Sequence, residues 1–384
     1  MTPHIITGLG VCSAIGTGRE AFFRALENPT LLRNAPRRKV ESFDASQYDD
    51  AAIAEVPDFD PAMYLGDKGL RTLDRLTKLL VVATRLGATD AGLKKDNLYV
   101  PPATPDGVGV VCSNAYGSLE AITELDRVAK LEDARYINPA KFPNTVANSA
   151  SGYASIWEEM RALNVAVSDG NCGALDAIAC ADVHLANGRA DAILVGGAEA
   201  ASEALYLAFH RLGMLEAGAF LGEGAVMLAM ERADFATKRG AKRLAEIVGF
   251  GTAFDAPENE TQMIFASTDA MKRAIAAALE DASMRAGEVD VVASGVSGLK
   301  PFDMAELGAI CDVLGEDVCV AAPKALVGET LGAGGAMALA CAVGWLGGIT
   351  PSAVQSGSAP DRVRTALVTS MGYYGNASAV LLRV

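Results

Sequence analysis

Cys172 is the residue whose type most directly suggests covalent chemistry, because a cysteine thiolate is a strong nucleophile. It opens a predicted helix of small residues, Cys172–Ala186. A nucleophilic cysteine needs a base to take its proton, and histidine is the usual one. The chain has only three histidines, His4, His184 and His210, and none lies in its second half. A nucleophilic Cys172, with or without Glu329 as its base, is therefore kept only as an alternative to a buried structural thiol.

Glu329 and Ser294 are two further polar residues that could act in chemistry. Burial would raise the pKa of the Glu329 carboxyl and suit it to act as a general base. We expect instead a salt bridge to a cation such as Lys324, five residues earlier, because buried carboxylates usually have a charged partner. Ser294 is expected to be a hydrogen-bonded core residue, since no histidine or lysine follows it at a triad-like position.

The sequence carries no convincing metal or nucleotide motif. His184 lies on a mainly apolar segment and is expected to be a hydrogen-bonded core residue, since no second histidine or cysteine pair gives metal-ligand spacing. Gly8 and Gly10 follow a predicted strand, but the GxGxxG pattern is incomplete and there is no P-loop. We therefore expect no metal and no other cofactor.

Charge and cysteine usage exclude several classes of partner. The 384 residues include 33 lysines and arginines against 47 aspartates and glutamates, a net charge of −14. Such a chain is repelled by nucleic acid and by anionic membranes. The seven cysteines form no CxxC pair, which favours reduced thiols and a cytoplasmic protein. The uncharged segment Gly332–Ile349 holds six glycines and is predicted to be a helix buried in protein rather than a membrane span.

Short apolar runs alternate with helical patterns along the chain, which predicts an α/β fold with layered sheets. The predicted strands are His4–Val11, Gly107–Cys112, Val165–Ser168, Ala192–Gly196, Ala225–Glu231, Ala245–Phe250, Val289–Ala293, Val318–Ala321, Thr365–Thr369 and Ala379–Leu382. The predicted helices are Arg19–Glu27, Leu70–Asp90, Ser118–Lys130, Asn144–Met160, Cys172–Ala186, Thr261–Asp281, Asp303–Leu314 and Gly332–Gly347. Both parts contain a strand, a turn and a small-residue helix, which predicts two similar halves, 1–240 and 241–384.

Five stretches, in order along the chain, resemble the β-ketoacyl-acyl-carrier-protein synthases of the thiolase superfamily. They are Ile6-Thr-Gly-Leu-Gly, the segment from Val165 through Ile178 followed by Asp191 through Ala200, the segment from Leu221 through Ala241, the segment from Lys324 through Ala336, and Gly372-Tyr-Tyr-Gly-Asn-Ala. The resemblance implies the thiolase fold, two similar halves in αβαβα layering. It also implies condensation chemistry by a cysteine at the start of a buried helix, assisted by two histidines.

The sequence departs from that family at all three catalytic positions. Alignment of the motifs puts Asn171 at the nucleophilic cysteine, Ser294 at the first histidine and Glu329 at the second. Lys324 is retained. Asp303 and Glu306 lie in the acidic stretch that follows the first histidine motif in the family, and we expect them to pair with Lys324. Tyr373 belongs to the last family motif and is expected near the site.

A ketosynthase scaffold without its catalytic side chains resembles the chain-length factor of a type II ketosynthase. The resemblance implies a heterodimer with an active β-ketoacyl synthase, contact with an acyl carrier protein through that complex, and a role in shaping the acyl tunnel. The products would be polyketides, aryl polyenes or unusual fatty acids. Two alternatives are an acyltransferase that uses Cys172, with or without Glu329, and a carrier-protein or lipid-binding scaffold unrelated to condensation.

Two segments are candidates for the subunit interface. Tyr153, Ile156 and Trp157 form an apolar stripe at helical spacing, and Trp157 is expected either near the interface or in the core. The resemblance also implies that the segment after strand Gly107–Cys112 lies near the closed end of the tunnel. There Leu119, Ala121 and Ile122 either bound the tunnel or pack against their own subunit.

Overall fold

The computed structural model describes residues 4–28, 36–49, 51–215, 218–259, 261–262 and 264–384. The ten main strands are β1 (His4–Ser13), β2 (Val108–Ser113), β3 (Asn164–Val167), β4 (Ala192–Glu199), β5 (Gly224–Arg232), β6 (Ala245–Phe254), β7 (Val291–Ala293), β8 (Cys319–Ala321), β9 (Thr365–Met371) and β10 (Asn376–Arg383). Two-residue and three-residue strands occupy Gly16–Thr17, Arg38–Lys39, Ala52–Ile53, Lys94–Lys95, Leu98–Tyr99 and Val354–Ser356.

The α-helices are α1 (Arg19–Leu26), α2 (Ala62–Leu65), α3 (Arg75–Asp90), α4 (Leu119–Val128), α5 (Ser149–Trp157), α6 (Gly173–Ala186), α7 (Glu203–Arg211), α8 (Ala233–Lys238), α9 (Thr268–Asp281), α10 (Lys300–Leu314), α11 (Lys324–Val327) and α12 (Gly334–Leu346). Short 3₁₀ segments include Gly170–Cys172 before α6 and Leu331–Ala333 before α12. The two central helices, α6 and α12, therefore begin in the same way.

The order of the strands makes the predicted duplication visible. The large sheet runs β8-β7-β9-β10-β6-β1-β5-β4-β2-β3, with Val354–Ser356 outside β8. Each half has the same order, since 3-2-4-5-1 in the first becomes 8-7-9-10-6 in the second. Each half also has the same two parallel and two antiparallel pairings. The halves join where His4–Ile6 of β1 pairs antiparallel with Ala245–Ile247 of β6. The division at residues 240 and 241, which falls between α8 and β6, is kept as a proposal.

The sheet is buried on both faces, so its strands carry apolar residues toward two cores. In β4, Ile193 and Val195 face the central core, while Ala192 and Leu194 face a core formed with α3 and α5. A third core lies between the second half of the sheet and the helices α9 and α10. Because α6 and α12 fill the central core, the layers follow the predicted order α, β, α, β, α.

The uncharged segment predicted as a buried helix is α12, and each of its residues is buried. Its small side chains allow close packing: a Cβ added at Gly335 would lie 3.0 Å from the Leu175 side chain of α6. Within the described residues, no helix is long and apolar enough to cross a membrane.

Several helix boundaries differ from the prediction because capping side chains set them. The helix predicted from Leu70 begins at Arg75, since the Asp74 carboxylate accepts the N–H of Thr77. The helix predicted from Thr261 begins at Thr268 after the Ser267 cap. The helix predicted over Asn144–Met160 is wrong as one unit: a 3₁₀ segment, Pro139–Thr145, precedes the shorter α5. The sequence analysis missed α7, which Ser202 caps.

Candidate active site

The three positions that the resemblance assigns to catalysis lie in the centre of the molecule. Asn171 is in the turn before α6, Ser294 follows β7, and Glu329 is in the turn between α11 and α12. Their exposed fractions are 2%, 1% and 1%, so all three are closed to solvent in the isolated chain. The turns before α6 and α12, which are equivalent in the two halves, pack against each other.

Hydrogen bonds hold the Glu329 carboxylate in place. The Tyr373 hydroxyl donates to Glu329 Oε2 at 3.1 Å. The Asn171 amide nitrogen donates instead to the Met371 carbonyl at 3.5 Å, and among the described residues its Oδ1 has no hydrogen-bond partner. Lys324 Nζ lies 2.8 Å from Glu329 Oε2, and the N–H of Leu331 donates to Glu329 Oε1 at 2.9 Å. The expected salt bridge between Lys324 and Glu329 is therefore present. Burial and the negative charge of Glu329 raise the pKa of Tyr373 well above its ordinary value, so its hydroxyl remains a neutral donor.

Ser294 is satisfied by the backbone. Its hydroxyl donates to the Ala321 carbonyl at 2.9 Å, and its N–H donates to the same oxygen at 2.8 Å. Those bonds tie the end of β7 to the neighbouring β8. Ser294 therefore has the hydrogen-bonded core position that the sequence predicted.

The expected pairing of Asp303 and Glu306 with Lys324 is wrong. Both Asp303 oxygens accept backbone N–H groups, from Ser297 and Gly298, each at 2.9 Å. Glu306 accepts the N–H of Gly295 at 2.7 Å and the hydroxyl of Thr369 at 2.6 Å. Neutral donors in the loop after β7 lie closer to these carboxylates than the ammonium does. Burial raises the pKa of Glu306, and the charge of Lys324 only moderates that shift.

Cys172 lacks the environment of a nucleophile. Its thiol is buried and lies 3.3 Å from the carbonyl oxygen of Ser370, to which it donates. Burial, with the nearby carboxylates Asp176 and Asp169, raises the pKa of Cys172 well above its ordinary value. A thiolate at a helix N-terminus is normally favoured, but here desolvation and negative charge dominate. The thiol therefore stays protonated at neutral pH.

Asp169 and Asp176 form an acid pair that the sequence analysis missed. The two carboxyl groups are neighbours; Ser378 donates to Asp176 at 2.6 Å, and Asn376 donates to Asp169 at 3.0 Å. Burial and the proximity of Asp169 raise the pKa of Asp176 to about 7. Asp176 therefore keeps its proton to a higher pH than an ordinary aspartate, because its charged form would be buried beside a second carboxyl group.

We expect Asp176→Asn to stabilise the protein at pH 8. The folded chain holds the Asp176 proton more tightly than the unfolded chain, whose aspartate has a pKa near 3.8. The stability from this proton is complete below about pH 4 and is lost as pH rises through about 7. Asparagine keeps a neutral donor toward Asp169 at every pH. Thermal unfolding should therefore show a higher Tm for the variant at pH 8 and a smaller advantage at pH 4.5; an equal shift at both values would contradict the raised pKa of Asp176.

Glu199 is a second buried carboxylate near the site. The N–H groups of Ala115 and Gly332 donate to it at 2.8 and 3.2 Å, and burial raises its pKa to about 8. It thereby ties the turn after β2 to the start of α12. Its place at the end of an otherwise apolar strand was the available signal in the sequence, but nothing there indicated which backbone groups it binds.

The structure also tests the predictions for two other single residues, His184 and Trp157. His184, in the last turn of α6, is half-buried rather than a hydrogen-bonded core residue: among the described residues its buried Nδ1 atom has no hydrogen-bond partner. Trp157 packs against its own subunit beside Gly69, while its neighbour Ile156 is 72% exposed.

The three candidate tunnel residues point in different directions. Leu119 packs in the aromatic and aliphatic cluster that includes Leu331 and Tyr373. Ala121 is buried within its own subunit beside the cap of α4, whereas Ile122 is 37% exposed. Of the three, Ile122 is thus the side chain available to another molecule.

Comparisons with known proteins agree with the motifs. The model of the beta-ketoacyl synthase N-terminal domain matches residues 2–236, and that of the C-terminal domain matches residues 244–348. The tetracenomycin polyketide synthase ketoacyl synthase beta subunit of Streptomyces glaucescens is 31% identical over 421 residues, covering 99% of this chain and 98% of that protein. The 3-oxoacyl-[acyl-carrier-protein] synthase 2 of Vibrio harveyi is 29% identical over 358 residues, covering 87% of this chain and 83% of that protein.

Solved structures match over the whole length. The ishigamide ketosynthase/chain length factor has a TM-score of 0.89 at 24% identity, covering 100% of this chain and 99% of that one. A type II polyketide synthase acyl-carrier protein in complex with its ketosynthase bound to the hexaketide gives a TM-score of 0.81 at 22% identity, with the same coverage. Together with the layers described above, these matches confirm the predicted thiolase fold.

Proposed function

The chain belongs to the β-ketoacyl synthase family, and from that premise we propose that it is a non-condensing subunit, a chain-length factor. In this proposal it pairs with an active β-ketoacyl synthase and shapes the acyl tunnel of the complex. An acyl carrier protein is engaged through that complex, and the product is a polyketide, an aryl polyene or an unusual fatty acid.

The main support for this proposal is the identity of the side chains at the three positions that are catalytic in the family. Condensation requires a nucleophile for the acyl chain and hydrogen-bond donors for the oxyanion and enolate that develop. Asn171 supplies an amide, the Ser294 hydroxyl is bonded to the Ala321 carbonyl, and Glu329 is an acceptor bound to Lys324. An acceptor-only carboxylate at the second histidine position would oppose, rather than stabilise, negative charge on a substrate oxygen.

An exposed apolar surface supports the proposed pairing. Seven large apolar side chains between residues 116 and 156 are exposed: Tyr116, Ile122, Leu131, Tyr136, Phe142, Val146 and Ile156. We call these seven residues the 116–156 surface. Such concentrations of exposed apolar residues are typical of protein interfaces.

The charged side chains interspersed among these seven residues are largely paired with one another. Lys130 bonds Asp126 at 2.8 Å, and Lys141 bonds Glu124 at 2.5 Å. The nearby strand β3 pairs only with β2 among the described strands, so its outer edge is open. A partner with an apolar face would cover the 116–156 surface, and one of its strands would pair antiparallel with the open edge of β3.

The relatives named above indicate which class of protein the proposed partner belongs to. One relative is a ketoacyl synthase beta subunit, and the same organism has a ketoacyl synthase alpha subunit that is 29% identical over 446 residues, covering 100% of this chain. We propose an alpha-type subunit with an intact cysteine and two histidines as the partner here. Within that heterodimer, Ile122 is our candidate for contact with the tunnel, because Leu119 and Ala121 pack against their own subunit.

No specific observation favours either of the two alternative functions. An acyltransferase that uses Cys172 would need a thiolate, whereas burial and two carboxylates raise the pKa of this thiol. A carrier-protein or lipid-binding scaffold unrelated to condensation would leave the family motifs unexplained.

Condensation assays with malonyl-carrier protein test the proposal. The purified chain alone should neither decarboxylate nor condense the substrate, whereas its complex with the active partner should form product. Cys172→Ala in this chain should leave the rate of the complex unchanged within about twofold. A loss of a hundredfold or more, equivalent to about 2.7 kcal/mol of barrier, would make Cys172 a nucleophile and contradict the proposal.

A further inference from the structure

Two turns, one from each half of the chain, meet backbone to backbone. Gly332, in the 3₁₀ segment before α12, has no room for a side chain: an added Cβ would lie 2.5 Å from the Ala115 nitrogen and 2.6 Å from the Asn114 Cα. Only glycine allows two backbones to approach this closely. The turn that begins at Glu329 is therefore in direct contact with the turn after β2.

Glu199 bridges these two turns. It ends β4 and is 2% exposed, and its Oε2 atom accepts the N–H of Ala115 at 2.8 Å and the N–H of Gly332 at 3.2 Å. Each turn thus donates one backbone hydrogen bond to the same oxygen atom. Burial raises the pKa of Glu199 to about 8, so the neutral acid predominates at pH 7, and its carbonyl oxygen can accept both bonds.

The turn after β2 leads directly into the 116–156 surface. Tyr116 is 41% exposed and is the first residue of that surface. Ser118 caps α4, the helix that carries Ile122. The Asn114 amide donates to the Ala147 carbonyl at 2.8 Å, so the same turn also contacts the segment between residues 142 and 156. The place of the turn 114–118 therefore determines how several parts of this surface are presented.

We propose that Glu199 is a positioning residue for the partner interface: it clamps the turn 114–118 to the start of α12 and so fixes Tyr116 and α4 for binding of the partner. This inference rests on the proposed pairing with an active synthase. Without the clamp, two buried N–H groups lose their acceptor and the turn is free to move. Binding would then include the cost of ordering the turn, which lowers the affinity.

Glu199→Ala tests the clamp in two measurements. In the isolated chain, hydrogen–deuterium exchange of the peptide that covers residues 113–118 should be at least about tenfold faster than in the unmodified protein. The Kd for the active synthase should rise at least about tenfold. Unchanged exchange or an unchanged Kd in this variant would overturn the proposal.

Glu199→Gln is the conservative variant. Its carbonyl oxygen can replace Oε2 as the acceptor for both N–H groups, and it is neutral like the protonated acid. It should therefore leave the exchange rate and the Kd within about threefold of the unmodified protein. A glutamine variant as impaired as the alanine variant would show that the two hydrogen bonds are not what positions the turn, and would overturn the proposal.

Asp290→Ala is the matched control for a general loss of stability. The Asp290 carboxylate also accepts two backbone N–H groups, from Arg364 at 2.7 Å and Thr365 at 2.9 Å, but it joins the segment before β7 to β9 in the second half of the sheet. Its loss should change neither the exchange of residues 113–118 nor the Kd by more than about threefold. Equal weakening of the complex by Asp290→Ala and Glu199→Ala would overturn a positioning role.

Gly332→Ala reaches the same contact from the other side, because the added Cβ pushes the two turns apart while Glu199 is intact. If Glu199→Ala does not fold, this variant decides: it should accelerate exchange of residues 113–118 at least about tenfold, and unchanged exchange would overturn the clamp. Exchange is measured in the isolated chain, so its outcome is independent of whether the proposed partner binds. A failure of the unmodified chain to bind any active synthase would contradict the proposed pairing instead.

Discussion

Lys324→Met lowers the free energy of unfolding by about 3–5 kcal/mol, because it leaves the buried Glu329 carboxylate without its counter-ion. The two side chains are 5% and 0% exposed, and their charged atoms lie 2.8 Å apart. Glu329 retains the bonds from Tyr373 and Leu331, but these neutral donors do not replace a positive charge. Lys324 also moderates the raised pKa of Glu306, so a second buried carboxylate loses support. Urea unfolding at pH 7 measures the effect.

The double variant Lys324→Met with Glu329→Gln is the control for this stability prediction. Glutamine is neutral: its carbonyl oxygen can accept the N–H of Leu331 in place of Oε1, and its NH2 group can donate to the Tyr373 hydroxyl in place of Oε2. The double variant should therefore recover to within about 2 kcal/mol of the unmodified protein, since replacing both partners of a buried pair costs less than removing one. A single variant that loses less than about 1 kcal/mol would show that Glu329 does not depend on Lys324.

Ile156→Glu should weaken the complex with the active synthase by a factor of a hundred or more in Kd, equivalent to about 2.8 kcal/mol. Ile156 is 72% exposed in the isolated chain, so the substitution leaves the fold intact. In the complex, the glutamate would be buried on the 116–156 surface without a counter-ion, which is costly. Titration of the partner followed by analytical ultracentrifugation gives the Kd.

Met63→Glu is the matched control for the interface. Met63 is 79% exposed on α2, outside the 116–156 surface, and its replacement adds the same charge. It should change the Kd by less than about threefold. An unchanged Kd for Ile156→Glu would remove α5 from the interface, and weakening by both variants would indicate a general charge effect.

The layered fold was predictable because buried strands and small-residue helices leave strong local patterns. The apolar run of β4 and the glycine-rich sequence of α12 could be identified as a strand and a buried helix without any tertiary information. Helix starts were less accurate, because they depend on single capping side chains such as Asp74 and Ser267. The helix predicted at α5 was too long, because the apolar stripe around Trp157 does not indicate where the preceding turn ends and the helix begins.

The sequence directed attention to residues that the structure places in buried turns, but it indicated their contacts less well. The motifs brought Asn171, Ser294 and Glu329 to attention, and the spacing of Lys324 and Glu329 predicted their salt bridge. Asp303 and Glu306 were assigned to the wrong partner, because backbone N–H groups have no signature in a sequence. The acid pair of Asp169 and Asp176 was missed for a similar reason: it forms only where α6 meets β10.

Native mass spectrometry of this chain co-expressed with an active β-ketoacyl synthase from the same genome tests the proposed pairing most directly. The active synthase must carry the cysteine and two histidines that this chain lacks. We expect the main species to contain one copy of each chain, and we expect this species to form the condensation product. A chain that remains with its own copies or alone, while the synthase forms its own active homodimer, would contradict the assignment as a chain-length factor.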